Sequence, residues 1–170
     1  MAGARVLGDG RATFFLLVLA PRGPSGNTHT MNQIAVILDP DGSVRSDGTR
    51  SWAGHYIREI LAHAGLPFDE LYRPVVPQDL PQKGVVLVSG SMSLSSEEQA
   101  SIRSFVTFGG ALIALGGTSG LDALLGADEQ WELPETYLTA LHNGHPVTRD
   151  LRSSLHCFEG RRIKATTGGV

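Results

Sequence analysis

Five consecutive residues, Gly116-Gly117-Thr118-Ser119-Gly120, set hydroxyl side chains between glycines at the end of an apolar run. In a glycine-x-nucleophile-x-glycine elbow, a strand turns sharply into a helix, and the central side chain is lifted over the helix start. Glycine is required at the flanks because a Cβ would clash where the backbone doubles back. The spacing matches with Thr118 at the centre, and the chemistry it would serve is nucleophilic attack. Threonine suits that role poorly. Its β-branched side chain fits a strained turn badly, and it seldom acts as a nucleophile away from a chain N-terminus.

Other residues compete for a chemical role. Asp39 ends the apolar run Gln33-Ile34-Ala35-Val36-Ile37-Leu38. A carboxylate at such a strand end can hold a ribose, a sugar or a metal, because the strand points into the ligand crevice. Equally, Asp39-Pro40-Asp41-Gly42 is ordinary turn chemistry. Ser91 closes the run that passes through Ser89-Gly90-Ser91. His142 and His145 flank Asn143-Gly144 at a spacing compatible with a metal, yet nothing nearby completes the three or four ligands a metal wants. His156 lies close to Glu159, and His55 falls on the polar side of a helix. Cys157 has no glycine elbow around it and reads as a buried, inert thiol. As the single cysteine, it excludes an internal disulfide framework and a Cys-rich zinc site. The expected cofactor and metal complement is none.

Alternating elements must position these groups. The run 33–38 is rich in β-branched residues, as in a strand buried on both faces. Trp52, Ala53, Tyr56, Ile57, Ile60, Leu61 and Ala64 recur at three-to-four spacing and predict a helix with one apolar stripe. Ser51 is placed to cap its start, Gly65 to stop it, and His63 sits in the last turn, where a cation suits the helix dipole. Residues 67–72 form a weak strand candidate. Pro74, Pro77 and Pro81 then forbid regular structure up to Lys83. Val85-Val86-Leu87-Val88 is the next buried strand. Ser95 and Glu98 make a capping box ahead of Ile102, Phe105 and Val106, and Gly109-Gly110 ends that helix. Ala111-Leu112-Ile113-Ala114-Leu115 is a third strand. Ser119 and Asp122 could cap a short helix carrying Leu121, Leu124 and Leu125, closed by Gly126. Residues 127–144 predict packed but irregular chain, although Trp131, Leu133, Tyr137, Leu138 and Leu141 are apolar. Residues 161–167 look like a strand.

This alternation predicts an α/β, flavodoxin-like three-layer sandwich, with a mainly parallel sheet and helices on both faces. Ligands in such sheets bind beyond the strand carboxyl ends, at the switch in strand order. Here that edge would carry residues 39–42, 89–93 and 116–120.

The bulk properties agree. A chain of 170 residues with 41% hydrophobic and 18% charged residues is neither disordered nor a coiled coil. Its net charge of −3 gives no basic excess for nucleic acid or anionic lipid, so neither is an expected partner. Residues 1–30 form an N-terminal extension, and the domain occupies residues 31–170. The apolar stretch between Arg11 and Pro21 is too short to span a bilayer. Three readings of the extension fit: a disordered or mis-started segment with Met31 as the true start, an export signal, or a docked segment. The expected location is the cytoplasm, or outside it if the signal is genuine. Strand-like residues with no helix after them suggest that the chain is cut from a longer protein.

The helix opened by Leu94-Ser95-Ser96-Glu97-Glu98, the stretch Phe108-Gly109-Gly110-Ala111-Leu112-Ile113-Ala114 and the glycine elbow together resemble the class I glutamine amidotransferase-like superfamily. They are closest to its non-catalytic branches, the trimerisation domain of microbial β-galactosidases and the trehalose-utilisation (ThuA-like) proteins. Gly144-His145-Pro146-Val147-Thr148-Arg149-Asp150-Leu151 is similar to a His-Pro-Val-Thr-x-Gly-Leu stretch in those proteins, with Asp150 where glycine is usual. The resemblance covers roughly residues 33–165. The working amidotransferases need a cysteine where this chain has Thr118, which argues against glutamine hydrolysis. The resemblance thus implies a non-catalytic assembly or ligand-binding module of a carbohydrate-processing protein. Its partners would be a homo-oligomer, other domains of a longer protein, or a small polar or sugar ligand. The alternative it implies is a ThuA-like enzyme for a sugar or small polar metabolite, using Asp39, Ser91, Thr118 and His145. A nucleotide-binding flavodoxin-like module is weaker still. No G-x-G-x-x-G follows the first strand, and Asp39-Pro40-Asp41 would repel phosphate.

Overall fold

The computed structural model describes residues 17–19, 33–39, 43–44, 50–51, 53–80, 84–89, 92–139 and 153–166. The central sheet contains β1 (Leu17–Leu19), β2 (Ile34–Leu38), β5 (Asp69–Tyr72), β6 (Val85–Ser89) and β7 (Ala111–Leu115). Its order is β1-β7-β6-β2-β5, with β7, β6, β2 and β5 parallel and β1 antiparallel at one edge. The chain steps from β2 outward to β5, then returns across β2 to β6 and on to β7. The reversal places the switch point between β2 and β6, as in flavodoxin-like sheets.

Apolar residues on both faces of β2, β6 and β7 make this possible. Ile37, Val86, Val88, Leu112 and Ala114 point to one side, where they join Ile102 and Phe105 of α2 (Ser96–Thr107) and Leu121, Leu124 and Leu125 around α3 (Asp122–Leu125). Val36, Leu38 and Leu87 point to the other, against Ile57 and Leu61 of α1 (Ala53–His63). The α/β flavodoxin-like class is therefore the observed one.

Local signals hold well around α2. Ser95 Oγ accepts from the Glu98 amide at 3.2 Å, and Glu98 Oε2 accepts from the Ser95 amide at 2.8 Å. At its far end, a Cβ on Gly110 would overlap the Phe105 ring, so glycine lets the chain pass beneath that side chain into β7. The end of α1 also matches, because Gly65 takes φ +67° and Leu66 N donates back to Leu61 O at 3.0 Å.

Three expectations change. Ser51 is a strand residue, two positions ahead of α1. It belongs to β4 (Arg50–Ser51), whose partner is β3 (Ser43–Val44), with Ser51 opposite Ser43. The apolar stripe of α1 is also wider than the surface it covers: Ile57 and Leu61 are buried, while Tyr56 and Ile60 are each 65% exposed. At roughly 100° per residue, 56 and 60 fall well to one side of the line through 57 and 61. The third change is β8 (Ala127–Leu138), which pairs antiparallel with β9 (Leu155–Ala165) where irregular chain was expected. A register shift between Glu129 and Glu132 breaks the alternation that would have marked a strand. Pro134 is tolerated because, among the described residues, β8 pairs on one side only.

Leu17–Leu19 come from the N-terminal extension and pair with Leu112, Ile113 and Ala114 of β7. The expectations for Trp52, the turn at 40–42, Ser91 and the segment 140–152 lie outside the described residues. No helix among the described residues is long and apolar enough to cross a membrane.

Candidate functional site

The carboxyl ends of β2, β5, β6 and β7 deliver Asp39, Arg73, Ser89 and the glycine-rich turn 116–120 to one edge of the sheet. Asp39 follows β2 directly, and its side chain is 21% exposed. Arg73 follows β5, with Arg73 N donating to Leu38 O at 3.2 Å and so holding the two strand ends together.

The Arg73 guanidinium is gripped from behind. Nε donates to Glu98 Oε1 at 2.9 Å and Nη2 to Glu98 Oε2 at 2.7 Å, a two-pronged pair. Nη2 also donates to Ser93 O at 2.7 Å. The Glu98 carboxylate is 3% exposed and accepts in addition from the amides of Ser95 and Val75. Donation from Arg73 is the largest influence on Glu98. Against the opposing effect of burial, and with the two amides, it holds the carboxyl down at about 2, from an ordinary 4.5. Glu98 in turn raises Arg73, which stays charged. One capping-box residue thus closes the helix start, orders the connection after β5 and fixes a cation at the switch point. The remaining arm, Nη1, reaches Asp39 Oδ2 at 3.4 Å, a long and weak contact.

The glycine-rich turn is built differently. Its left-handed non-glycine residue is Ser119, with φ +53°, one position beyond the expected centre at Thr118. Gly116 and Gly117 both take positive φ and absorb the first part of the reversal, so the tight point falls later. Ser119 is 5% exposed, and its hydroxyl donates to Ser89 O at 2.6 Å, clamping the turn to the end of β6. Thr118 is 2% exposed. Its amide and hydroxyl both meet Glu129 Oε2, at 2.8 and 3.0 Å, and the hydroxyl also lies 3.2 Å from Asp122 Oδ1. Asp122 Oδ1 accepts from the Glu129 amide as well. Neither Ser119 nor Asp122 caps α3, whose N-cap position is Leu121 and carries no side-chain cap bond. The two side chains are spent instead on fastening the turn to β6 and to β8.

Of the four residues proposed from the sequence, Asp39 and Thr118 stand on the same sheet edge, separated by the end of β6. Ser91 and His145 lie outside the described residues, as does His142. His156 meets Glu135 across the ribbon, Nε2 to Oε1 at 2.6 Å, and stacks on Tyr137, both of them cross-strand contacts. Cys157 lies in β9 opposite Thr136; its side chain is outside the described set. Among the described residues no group of three or more His, Cys, Asp or Glu could hold a metal ion.

Arg73, Glu98 and Glu129 are the site residues that sequence reading missed. Arg73 sits just before Pro74, inside the proline-rich connection, where no periodicity singles it out. Glu98 was visible as a cap, but its second duty depends on a residue 25 positions away.

No family model and no curated protein matches this chain. Among solved structures it is similar to a ThuA-like protein from Bacteroides uniformis, at 13% identity with a TM-score of 0.54. The match covers 86% of this chain and 66% of that one, so the chain spans just under two thirds of its neighbour. At that identity the shared property is the fold: the chain has the α/β architecture of a ThuA-like protein.

Proposed function

We propose that this chain is a non-catalytic α/β module of the ThuA-like kind, which binds a ligand or another chain at the carboxyl edge of its sheet. The observation that carries this reading is the fate of the two hydroxyls in the turn. Thr118 is buried against Glu129 and Asp122, and Ser119 is committed to the Ser89 carbonyl, so neither presents a nucleophile to an incoming carbonyl. Both hydroxyls hold the turn in place. The resemblance to carbohydrate-processing proteins gives the wider setting, with a partner domain or a second copy as the assembly alternative. The test is a glutaminase and ester-hydrolysis assay on the wild type beside Thr118→Ala and Ser119→Ala. The expected result is no turnover above background in any of the three. Turnover in the wild type that disappears in either variant would overturn the reading.

A second reading draws support from the Asp39–Arg73 pair at the switch point and from the fold shared with a ThuA-like protein. In it the chain is an enzyme for a sugar or small polar metabolite, with Asp39, Ser91, Thr118 and His145 as its working residues. Equal turnover by the wild type and an Asp39→Ala, His145→Ala double variant would remove it.

A further inference from the structure

We propose that Arg73 is the ligand-orienting residue of the switch-point crevice, and that with Asp39 it takes a neutral ligand carrying adjacent hydroxyls while rejecting anions. This rests on the ligand-binding form of the function proposed above and specifies its chemistry.

The inference starts from how the five N–H groups of one guanidinium are used. Nε and Nη2 are committed to Glu98 and to Ser93 O at 2.7–2.9 Å. Those bonds come from a carboxylate 3% exposed and from backbone, so the plane of the group is fixed from its inner side. Nη1 meets a single weak partner among the described residues, Asp39 Oδ2 at 3.4 Å. Both side chains are about one-fifth exposed, at 22% and 21%, so a small molecule can reach them. They stand where β2 ends beside the strand-order reversal, the place at which open parallel sheets bind ligands. A donor held in position before the ligand arrives loses little entropy on binding.

The charge arrangement then selects the ligand. The positive charge of Arg73 is already met at short range by Glu98, so an anion approaching Nη1 gains little and faces the Asp39 carboxylate at once. A ligand hydroxyl both accepts and donates. One hydroxyl can accept from Nη1 while its neighbour donates to Asp39 Oδ2, so that two short bonds bridge the long Arg73–Asp39 contact. The 3.4 Å separation of Nη1 and Oδ2 suits two hydroxyls on adjacent carbons better than the narrower fork of a carboxamide. Asp39 supplies the acceptor, Arg73 the donor, and Glu98 acts through Arg73 as a positioning residue.

The test titrates the full chain with a panel of neutral methyl pyranosides and acyclic polyols, and separately with acetate and inorganic phosphate, by calorimetry and amide chemical shifts. At least one neutral compound should bind. Asp39→Asn removes the carboxylate charge without touching the Glu98 anchor. It should weaken that binding by about tenfold, as expected for one charged hydrogen bond, and raise the affinity for acetate. Its melting temperature should stay within roughly 3 °C of the wild type, which separates a binding role from a structural one. Arg73→Lys keeps the charge but loses the fork, and should weaken neutral binding by about tenfold or more. Neutral binding that is equal in wild type and Asp39→Asn overturns the assignment. A wild type that prefers acetate or phosphate overturns the ligand class while leaving the ligand-binding reading in place. No binding by any member of either set overturns both.

Discussion

Two carboxylates anchor the two ends of one sheet edge, and they do it in opposite ways. Glu98 meets a guanidinium, lies almost wholly buried and leaves one arm of its partner turned toward the crevice. Glu129 meets the amide and hydroxyl of Thr118 and leaves that residue nothing to offer. The first junction stores a charge at the surface, while the second uses up a hydroxyl inside. The comparison teaches that a glycine-rich turn can keep the outline of an elbow while its polar groups serve only to fasten neighbouring strands.

The strongest way to break this comparison is to remove Glu98. Glu98→Ala strands Arg73, opens the capping box and frees the amide of Val75. Losing one partner of a buried pair costs about 3–5 kcal/mol, and because Arg73 reaches solvent the lower end, about 3 kcal/mol, is expected in denaturant unfolding. A loss below about 1 kcal/mol would show that the junction is ornamental. The same carboxylate gives the protein an acid limb. Its value in the folded chain, about 2, lies below its ordinary 4.5, so the unfolded state binds the proton first as pH falls. Its contribution is complete above pH 4.5 and fades as the pH drops toward 2. Unfolding midpoints measured from pH 5 down to 2 should therefore fall more gently in Glu98→Gln than in the wild type.

At the other junction the effects are smaller. Thr118→Val keeps the shape and deletes the hydroxyl, leaving Glu129 with one donor from this residue where it had two. A loss of about 1–2 kcal/mol is expected by the same unfolding measurement, with Thr118→Ser retaining most of the stability. If Thr118→Val cost as much as Glu98→Ala, the contrast between the two ends would fail. The smallest effect should come from Ser119→Gly. Glycine relieves the left-handed backbone at φ +53°, by up to about 1 kcal/mol, while losing a hydrogen bond to Ser89 O of similar worth. The net change should lie within about 0.5 kcal/mol. A large loss would mean that the hydroxyl does more than clamp the turn.

How much of this was legible in the sequence follows from how local each signal is. The α2 cap could be read because Ser95 and Glu98 are three residues apart, and the end of α1 because Gly65 alone supplies the left-handed turn. Three of the four parallel strands declare themselves by continuous apolar runs, and β5 only by a weak alternation. The Arg73–Glu98–Asp39 junction was not legible. Its members are joined only when β5 returns beside β2 and α2 closes over them, and no spacing in the chain records that meeting. The ribbon of β8 and β9 was hidden by its own irregularity, since a register shift turns alternation into apparent disorder. The tight point of the turn lies one residue beyond the centre that the glycines mark, because counting from glycines cannot tell which peptide absorbs the reversal. Tyr56 and Ile60 belong to the stripe yet stay exposed, because a stripe drawn on a helix says nothing about how broad a surface the sheet offers it.

The three-residue ladder of β1 has a consequence for self-association. Leu17–Leu19 occupy the outer flank of β7, a strand of five aliphatic residues with neither a charge nor a proline to discourage pairing. A variant in which Leu17–Leu19 cannot pair would leave that flank's amides and carbonyls open to the same strand from a neighbouring molecule. Three residues in this sense stand between a protected sheet and a self-adhesive one.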